Sequence, residues 1–316
     1  MPPQPPVILG LSAPVVKAKF DALVEGKQVK AWAARLPPEQ DASRTGPTAA
    51  AGTEPLTYAK AYESANAEQR GVLDRMARCQ DGFIEWVAAD KPAAKRPEQQ
   101  LHFIHGGPGA GKSYIIKAMR LRMAELRCHA IICANLASAA VLIGGRTIHS
   151  TAGLGDRIDE HYSHLSTNAQ TRLATLHESE LVWCIIIDEI SAVGVKLFYN
   201  LDRRMRDLFG IESRPFGGIH VFVFGDFFQL QPPGDFCIFE TLVKIAVHGA
   251  TISAKAETNL NAAYVTDVFR MFTKTELLIN ERAKVRTVRV RPQRTPSNSA
   301  FQHLFAPHSW TPCTRS

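Results

Sequence analysis

At 316 residues, with 45% hydrophobic and 21% charged content, the chain has the composition of a globular protein of one large or two ordinary domains. Six scattered cysteines with no C-x-x-C pair argue against a disulfide framework or a zinc ribbon, and fit a reducing compartment. The net charge of +7 is concentrated late: from Glu281 onward seven basic residues face one acid, a local +6 that leaves +1 for everything before it, so bulk charge is weak evidence for a polyanionic partner.

Residues 1–56 are rich in Pro and Ala and are expected to form a mobile leader. Within them, residues 15–36 carry Val16, Phe20, Leu23, Val24 and Trp32 at the spacing of an amphipathic helix. The opening lacks the basic start of a signal peptide, and no apolar stretch is long enough to span a bilayer. From Tyr58 the pattern turns helical, through Asn66-Ala67-Glu68-Gln69-Arg70 to about Val87.

An alternation follows. Residues 101–105 form a short apolar run ending in glycines, and 112–127 have helical spacing through Ile115, Ile116, Met119 and Met123. A second run at 130–134 precedes a small-residue helix near 138–143, and further runs lie at 181–187 and 221–224. Buried β-branched runs alternating with helices predict an α/β domain, a parallel sheet covered by helices on both faces, over residues 57–283. His102 and His105 flank the first run and are expected to pack or lie at the surface. Residues 284–316 turn to Arg, Pro, Ser and Thr without apolar periodicity, and a basic, disordered tail is expected there.

Three motifs carry chemistry. Gly106-Gly107-Pro108-Gly109-Ala110-Gly111-Lys112-Ser113 follows a predicted strand and opens a predicted helix. Its glycines let backbone N–H groups wrap phosphate oxygens while the helix points its positive end at them. Lys112 would reach the β- and γ-phosphates of ATP, and the Ser113 hydroxyl would ligate Mg²⁺. At 185–189, Ile-Ile-Ile-Asp-Glu places two carboxylates at the end of a hydrophobic strand. Asp188 would hold Mg²⁺ through water, and Glu189 would polarise the attacking water. Gly225-Asp226-Phe227-Phe228-Gln229-Leu230 ends another strand, and the Gln229 amide would sit where a γ-phosphate sensor is needed. These features predict a P-loop NTPase.

The same motifs resemble those of the petite-integration-frequency (Pif-type) DNA helicases, whose motor domains are RecA-like. Gly225–Leu230, preceded by Pro215-Phe216-Gly217-Gly218, is similar to that family's third motif, and Ile187-Asp188-Glu189-Ile190-Ser191 to its second. Ile143-Gly144-Gly145-Arg146-Thr147-Ile148-His149-Ser150 resembles the stretch after the first DNA-contacting segment, with His149 either a DNA or phosphate contact or a structural histidine. Asn66-Ala67-Glu68-Gln69 resembles the adenine-reading segment, with Gln69 on the base. Phe272-Thr273-Lys274-Thr275-Glu276-Leu277 followed by Arg282-Ala283 resembles a transposon-related branch, in which Arg282 would stabilise charge on the γ-phosphate.

The resemblance implies ATP- and Mg²⁺-dependent movement on single-stranded DNA or DNA junctions, five-prime to three-prime. It also implies roles in DNA repair, recombination or telomere maintenance. The expected place is intracellular, the nucleus ahead of the mitochondrion, which stays open; no membrane is implied, and the oligomeric state stays open. Two departures stand out: Leu136-Ala137 replaces the usual Thr-Gly, and Gln231 interrupts the usual Leu-Pro-Pro. Only 34 residues follow Arg282, so the second motor domain is expected to be missing through truncation. The alternatives are a nucleotide-binding module without unwinding and another P-loop ATPase class.

Overall fold

In the structure, a computed structural model, the strand-forming runs become six strands: β1 (Leu101–Gly106), β2 (His129–Ala134), β3 (Arg146–Thr147), β4 (Val182–Asp188), β5 (His220–Gly225) and β6 (Thr273–Leu277). They form one sheet in the order β3-β2-β4-β5-β1-β6, and every pairing is parallel. The structure describes residues 56–90, 96–155, 162–177, 179–226, 229–238 and 256–284. The expectations for the amphipathic segment at 15–36, for the rest of the leader and for the tail beyond Lys284 lie outside them.

Nine α-helices are described: α1 (Tyr58–Ser64), α2 (Ala67–Ala88), α3 (Lys112–Leu126), α4 (Ala137–Leu142), α5 (Ile148–Ala152), α6 (Thr167–His177), α7 (Val195–Phe209), α8 (Ala256–Arg270) and α9 (Glu281–Lys284). No helix among the described residues is long and apolar enough to cross a membrane.

Because successive strand residues point to opposite faces, each central strand feeds two cores. Val221 and Val223 of β5 join Ile185 and Ile187 of β4 and Phe103 of β1 beneath α7 and α8. Phe222 and Phe224 join Ile186 and Ile104 on the other face, beneath α2 and α3. β1, β4 and β5 are buried along their whole length, which explains why they read as continuous apolar runs rather than alternations. Each such side chain contributes roughly 1.5–3 kcal/mol on burial.

The single helix expected from Tyr58 to about Val87 is two helices. Asn66 breaks it: the Asn66 carboxamide accepts from Gln69 N–H while Gln69 returns a bond to Asn66 N–H, a reciprocal capping box that starts a new helix. α3 ends where Arg127 adopts φ 52°.

His102 and His105 do not flank β1; both lie inside it and are buried. His102 is clamped between β1 and β6, with Nδ1 2.6 Å from Thr273 Oγ1 and Nε2 2.9 Å from Thr275 Oγ1. Thr273 Oγ1 donates to Leu101 O, so the fitting tautomer has His102 Nδ1–H donating to Thr273 and Nε2 accepting from Thr275. Burial pushes the His102 pKa down from 6.5 to about 4. The folded state therefore binds fewer protons than the unfolded chain between those values, and stability present above pH 6.5 is lost as pH falls toward 4. His102 contributes up to about 3 kcal/mol to that loss. Burial lowers His129 and His220 to about 4 as well. Melting curves from pH 7.5 to 4.5 are expected to show a steep fall through this window, shallower in His102→Gln. An unchanged slope in the variant would contradict the assignment.

Candidate nucleotide site

The carboxyl ends of β1, β5 and β4 lie side by side, and each ends in one of the three sequence motifs. In a parallel α/β sheet this edge is where ligands bind, because the helix N-termini converge there.

At the tip of β1 the chain makes a glycine-rich loop, Gly106 to Gly111, and enters α3 at Lys112. Gly109 and Gly111 have φ of 87° and 86°, conformations open to glycine at little cost. A Cβ at Gly111 would lie 2.2 Å from Gln69 Nε2, and one at Gly109 would lie 2.5 Å from Asn280 Oδ1. The loop thus has glycine where both its backbone and its neighbours require it. Lys112 curls back over the loop, its Nζ donating to Gly106 O at 2.6 Å and Gly107 O at 3.3 Å. Ser113 is half-buried in the first turn of α3.

At the tip of β4, Asp188 is buried and accepts from Glu189 N–H at 3.0 Å. Burial raises its pKa from 3.8 to about 6, opposed by that N–H bond and by the Lys112 ammonium. Glu189 adopts φ 52° and ψ 54°, a left-handed conformation costing on the order of 1–2 kcal/mol for a residue with a side chain. This turn throws the chain sharply into a short 3₁₀ segment, Ile190–Ala192. Gly225, at the tip of β5, packs so closely on the turn that a Cβ there would meet Ile190 N at 2.9 Å.

Beyond Gly225, Asp226 is buried and Gln229 is half-buried. Gln229 N–H donates to Asp226 O at 3.1 Å, and its side-chain amide lies 3.4 Å from Asp226 Oδ2. Phe227 and Phe228 lie outside the described residues. The loop that follows is anchored by Asp235, whose carboxylate accepts from Lys196 N–H at 2.8 Å at the N-terminus of α7. The helix cap itself is Gly194, which has no side chain to do this.

Gln69, expected to meet the base, packs against the phosphate loop. It is 3% exposed; its Oε1 takes Asn66 N–H and its Nε2 donates to Ala110 O at 3.3 Å. Its carboxamide thus braces the phosphate loop at Ala110. Arg282 is exposed, with its Cβ beside Gly109, and the preceding Glu281 N–H donates to Gly109 O at 2.9 Å. Lys112, Ser113, Asp188, Glu189, Gln229 and Arg282 thus all lie along the same edge of the sheet.

The stretch after β2 occupies the same edge. Leu136 caps α4 without a side-chain acceptor, as its departure from Thr implies, and Val141 and Leu142 stand exposed in the last turn of α4. Asn135 Nδ2 donates to Ala192 O at 2.6 Å, tying this stretch to the turn after β4. A Cβ at Gly145 would lie 2.4 Å from Ile132 O, so that glycine is set by backbone approach. His149 is half-buried in α5. Sequence reasoning missed Asn135 and Asp235, whose partners lie 57 and 39 residues away along the chain.

A family model described as "PIF1-like helicase" matches residues 85–277. Among curated proteins, ATP-dependent DNA helicase PIF6 of Trypanosoma brucei brucei is 32% identical over 130 residues, covering 41% of this chain and 16% of that protein. ATP-dependent DNA helicase Pif1 of Bdellovibrio bacteriovorus is 37% identical over 137 residues, covering 41% of this chain and 29% of its own length. ATP-dependent DNA helicase RRM3 of Saccharomyces cerevisiae is 35% identical over 135 residues, covering 41% and 18%. The chain therefore spans less than a third of each of these relatives. Among solved structures, Pif1 helicase from Candida albicans aligns with a TM-score of 0.46 at 22% identity, over 70% of this chain and 41% of that one.

Proposed function

This chain belongs to the PIF1-like helicase family, and we propose that its described sheet and helices form a RecA-like motor domain that hydrolyses Mg-ATP and couples the hydrolysis to movement on single-stranded DNA. The observation that carries this reading is the juxtaposition of Lys112, Asp188, Glu189 and Gln229 at the tips of three neighbouring strands. Gly106, Gly107, Gly109, Ala110 and Gly111 would present backbone N–H groups to the phosphates, as the turn at Gly109 and Gly111 allows, while Pro108, which has no N–H, would shape the loop. Lys112 would exchange its carbonyl partners for phosphate oxygens. Glu189 would orient and polarise the attacking water, Gln229 would report on the γ-phosphate, and Arg282 would stabilise charge there.

The donor set fits a magnesium ion. Ser113 offers a hydroxyl, and Asp188 is a buried carboxylate for which a nearby cation would favour ionisation. When bound, the ion would neutralise charge on the β- and γ-phosphates.

The DNA path is proposed across α4 and the Ile143–Ser150 stretch, on the grounds that they share the nucleotide's edge of the sheet and that Asn135 links them to the turn after Asp188. Direction of movement, five-prime to three-prime, rests on the family resemblance. The buried cysteines Cys79, Cys128, Cys133 and Cys184, none of them in a disulfide, support a reducing, intracellular setting.

The test is steady-state ATP turnover by the purified chain with and without single-stranded DNA. Turnover that rises at least about tenfold with DNA is the expected result. Nucleotide binding with no turnover in either condition would reject the motor reading in favour of a binding module.

A further inference from the structure

Residues 278–281, which follow β6, form a strap across the phosphate loop. Glu281 N–H donates to Gly109 O at 2.9 Å and Asn280 Nδ2 to Pro108 O at 3.2 Å. The strap is held in turn by the first turn of α2. There the Glu68 carboxylate accepts Leu278 N–H at 2.9 Å and Ile279 N–H at 3.1 Å, both on Oε2. Asn66, the cap of the same helix, donates to the Glu281 carboxylate. Leu278 is 75% exposed, so burial of its side chain does not fix the start of the strap. The polar contacts do.

Glu68 has no duty to its own helix that would explain its aim. The capping box of Asn66 and Gln69 already serves the α2 N-terminus, and the Glu68 carboxylate turns instead to a segment 210 residues away in the chain. Gln69, the next residue, meets the loop directly through Ala110 O. The α2 N-terminus thus grips the phosphate loop twice, once directly and once through the strap.

We propose that Glu68 is a positioning residue for the nucleotide site: it fixes the strap, and with it the Pro108–Gly109 side of the phosphate loop and the approach of Arg282 to the γ-phosphate. The part concerning Arg282 rests on the ATPase reading above; the part concerning the loop stands without it. Charge-assisted bonds from one carboxylate to two backbone N–H groups are strong enough to order a short exposed segment. Two backbone N–H groups held in this way leave Asn280 and Glu281 aligned on the loop carbonyls.

The experiment is amide hydrogen exchange on the nucleotide-free chain, followed by ATP kinetics. Glu68→Ala is expected to speed exchange at Leu278 and Ile279 about tenfold and to loosen residues 107–111 as well, leaving β4 and β5 unchanged. Glu68→Gln, which keeps an acceptor oxygen, restores most of the protection. With ATP, Glu68→Ala lowers kcat about tenfold while KM stays within about threefold, and the Gln variant recovers most of kcat. Faster exchange confined to 278–279, with the phosphate loop unmoved, overturns the proposal. So does a fall in melting temperature with no change in kcat. A wild-type chain that fails to turn over ATP rejects the ATPase reading, whereas the exchange pattern without nucleotide still decides whether Glu68 holds the loop.

Discussion

Lys112→Ala is expected to reduce ATP turnover by about 100- to 1,000-fold while leaving the fold intact. The figure is that for removing one preorganised donor from developing transition-state charge, about 2.7–4 kcal/mol. Lys112 is 8% exposed, and its ammonium is held over the loop by the carbonyls of Gly106 and Gly107, so it needs no large side-chain movement to meet a phosphate. The structural cost of losing it is that of two carbonyl hydrogen bonds, one buried and one partly buried, on the order of 1–3 kcal/mol. The melting temperature is therefore expected to fall by several degrees. The measurement is turnover at saturating single-stranded DNA beside a thermal melt of the same preparation. A variant retaining more than a tenth of wild-type turnover would remove Lys112 from the proposed role. Lys112→Arg makes a useful comparison: it keeps the charge, yet a planar guanidinium cannot occupy the space of a compact ammonium pressed against two carbonyls.

How much of this was legible in the sequence depended on distance along the chain. The runs that became β1, β4 and β5 could be read because both faces of those strands are buried, so apolar residues occur without interruption. β6 escaped because Thr273-Lys274-Thr275-Glu276-Leu277 is largely polar; it pairs with β1 alone among the described strands, and His102 fills part of its inner side. β3 has only two residues, too few for any period. The phosphate loop was fully legible, since its glycines, lysine and serine are contiguous. Asn66-Ala67-Glu68-Gln69 reads in the sequence only through its resemblance to an adenine-reading segment; the structure adds that Asn66 and Gln69 form a capping box that starts α2. The strap could not have been foreseen: Glu68 meets Leu278 and Asn280 meets Pro108 across separations of 210 and 172 residues. No local pattern encodes such a meeting; only the sheet order, which sets β6 beside β1, brings them together.

One buried charge network ties α7, α8 and the turn before β5 together. Asp202, on α7, is fully buried and accepts from Arg206 Nε at 2.9 Å, from Tyr264 of α8 at 2.5 Å and from Phe216 N–H at 2.5 Å. Arg206 is itself buried, and also donates to Glu212 O and to Tyr264. Phe216 adopts φ 51°, inside the Pro215–Gly218 turn that leads into β5, and its ring packs edge-on against Phe198. Asp202→Ala would leave the Arg206 charge without its counter-ion in the interior, and a loss of about 3–5 kcal/mol is expected. The orphaned Phe216 N–H is part of that loss rather than an addition to it. Chemical denaturation of the wild-type chain, Asp202→Ala and the pair Asp202→Ala with Arg206→Met checks it. The double variant removes both charges and is expected to recover part of the deficit, which a simple cavity effect would not allow. A single variant less than about 1 kcal/mol below wild type would mean that water or a neighbour compensates Arg206. Because the turn held by Asp202 sets where β5 begins, the single variant should also raise exchange at Phe216 and Gly217 ahead of global unfolding. Arg206 and Tyr264 would then hold α7 and α8 together while the entry to β5 frays, separating the support of the helices from the support of the strand that carries Asp226 and Gln229.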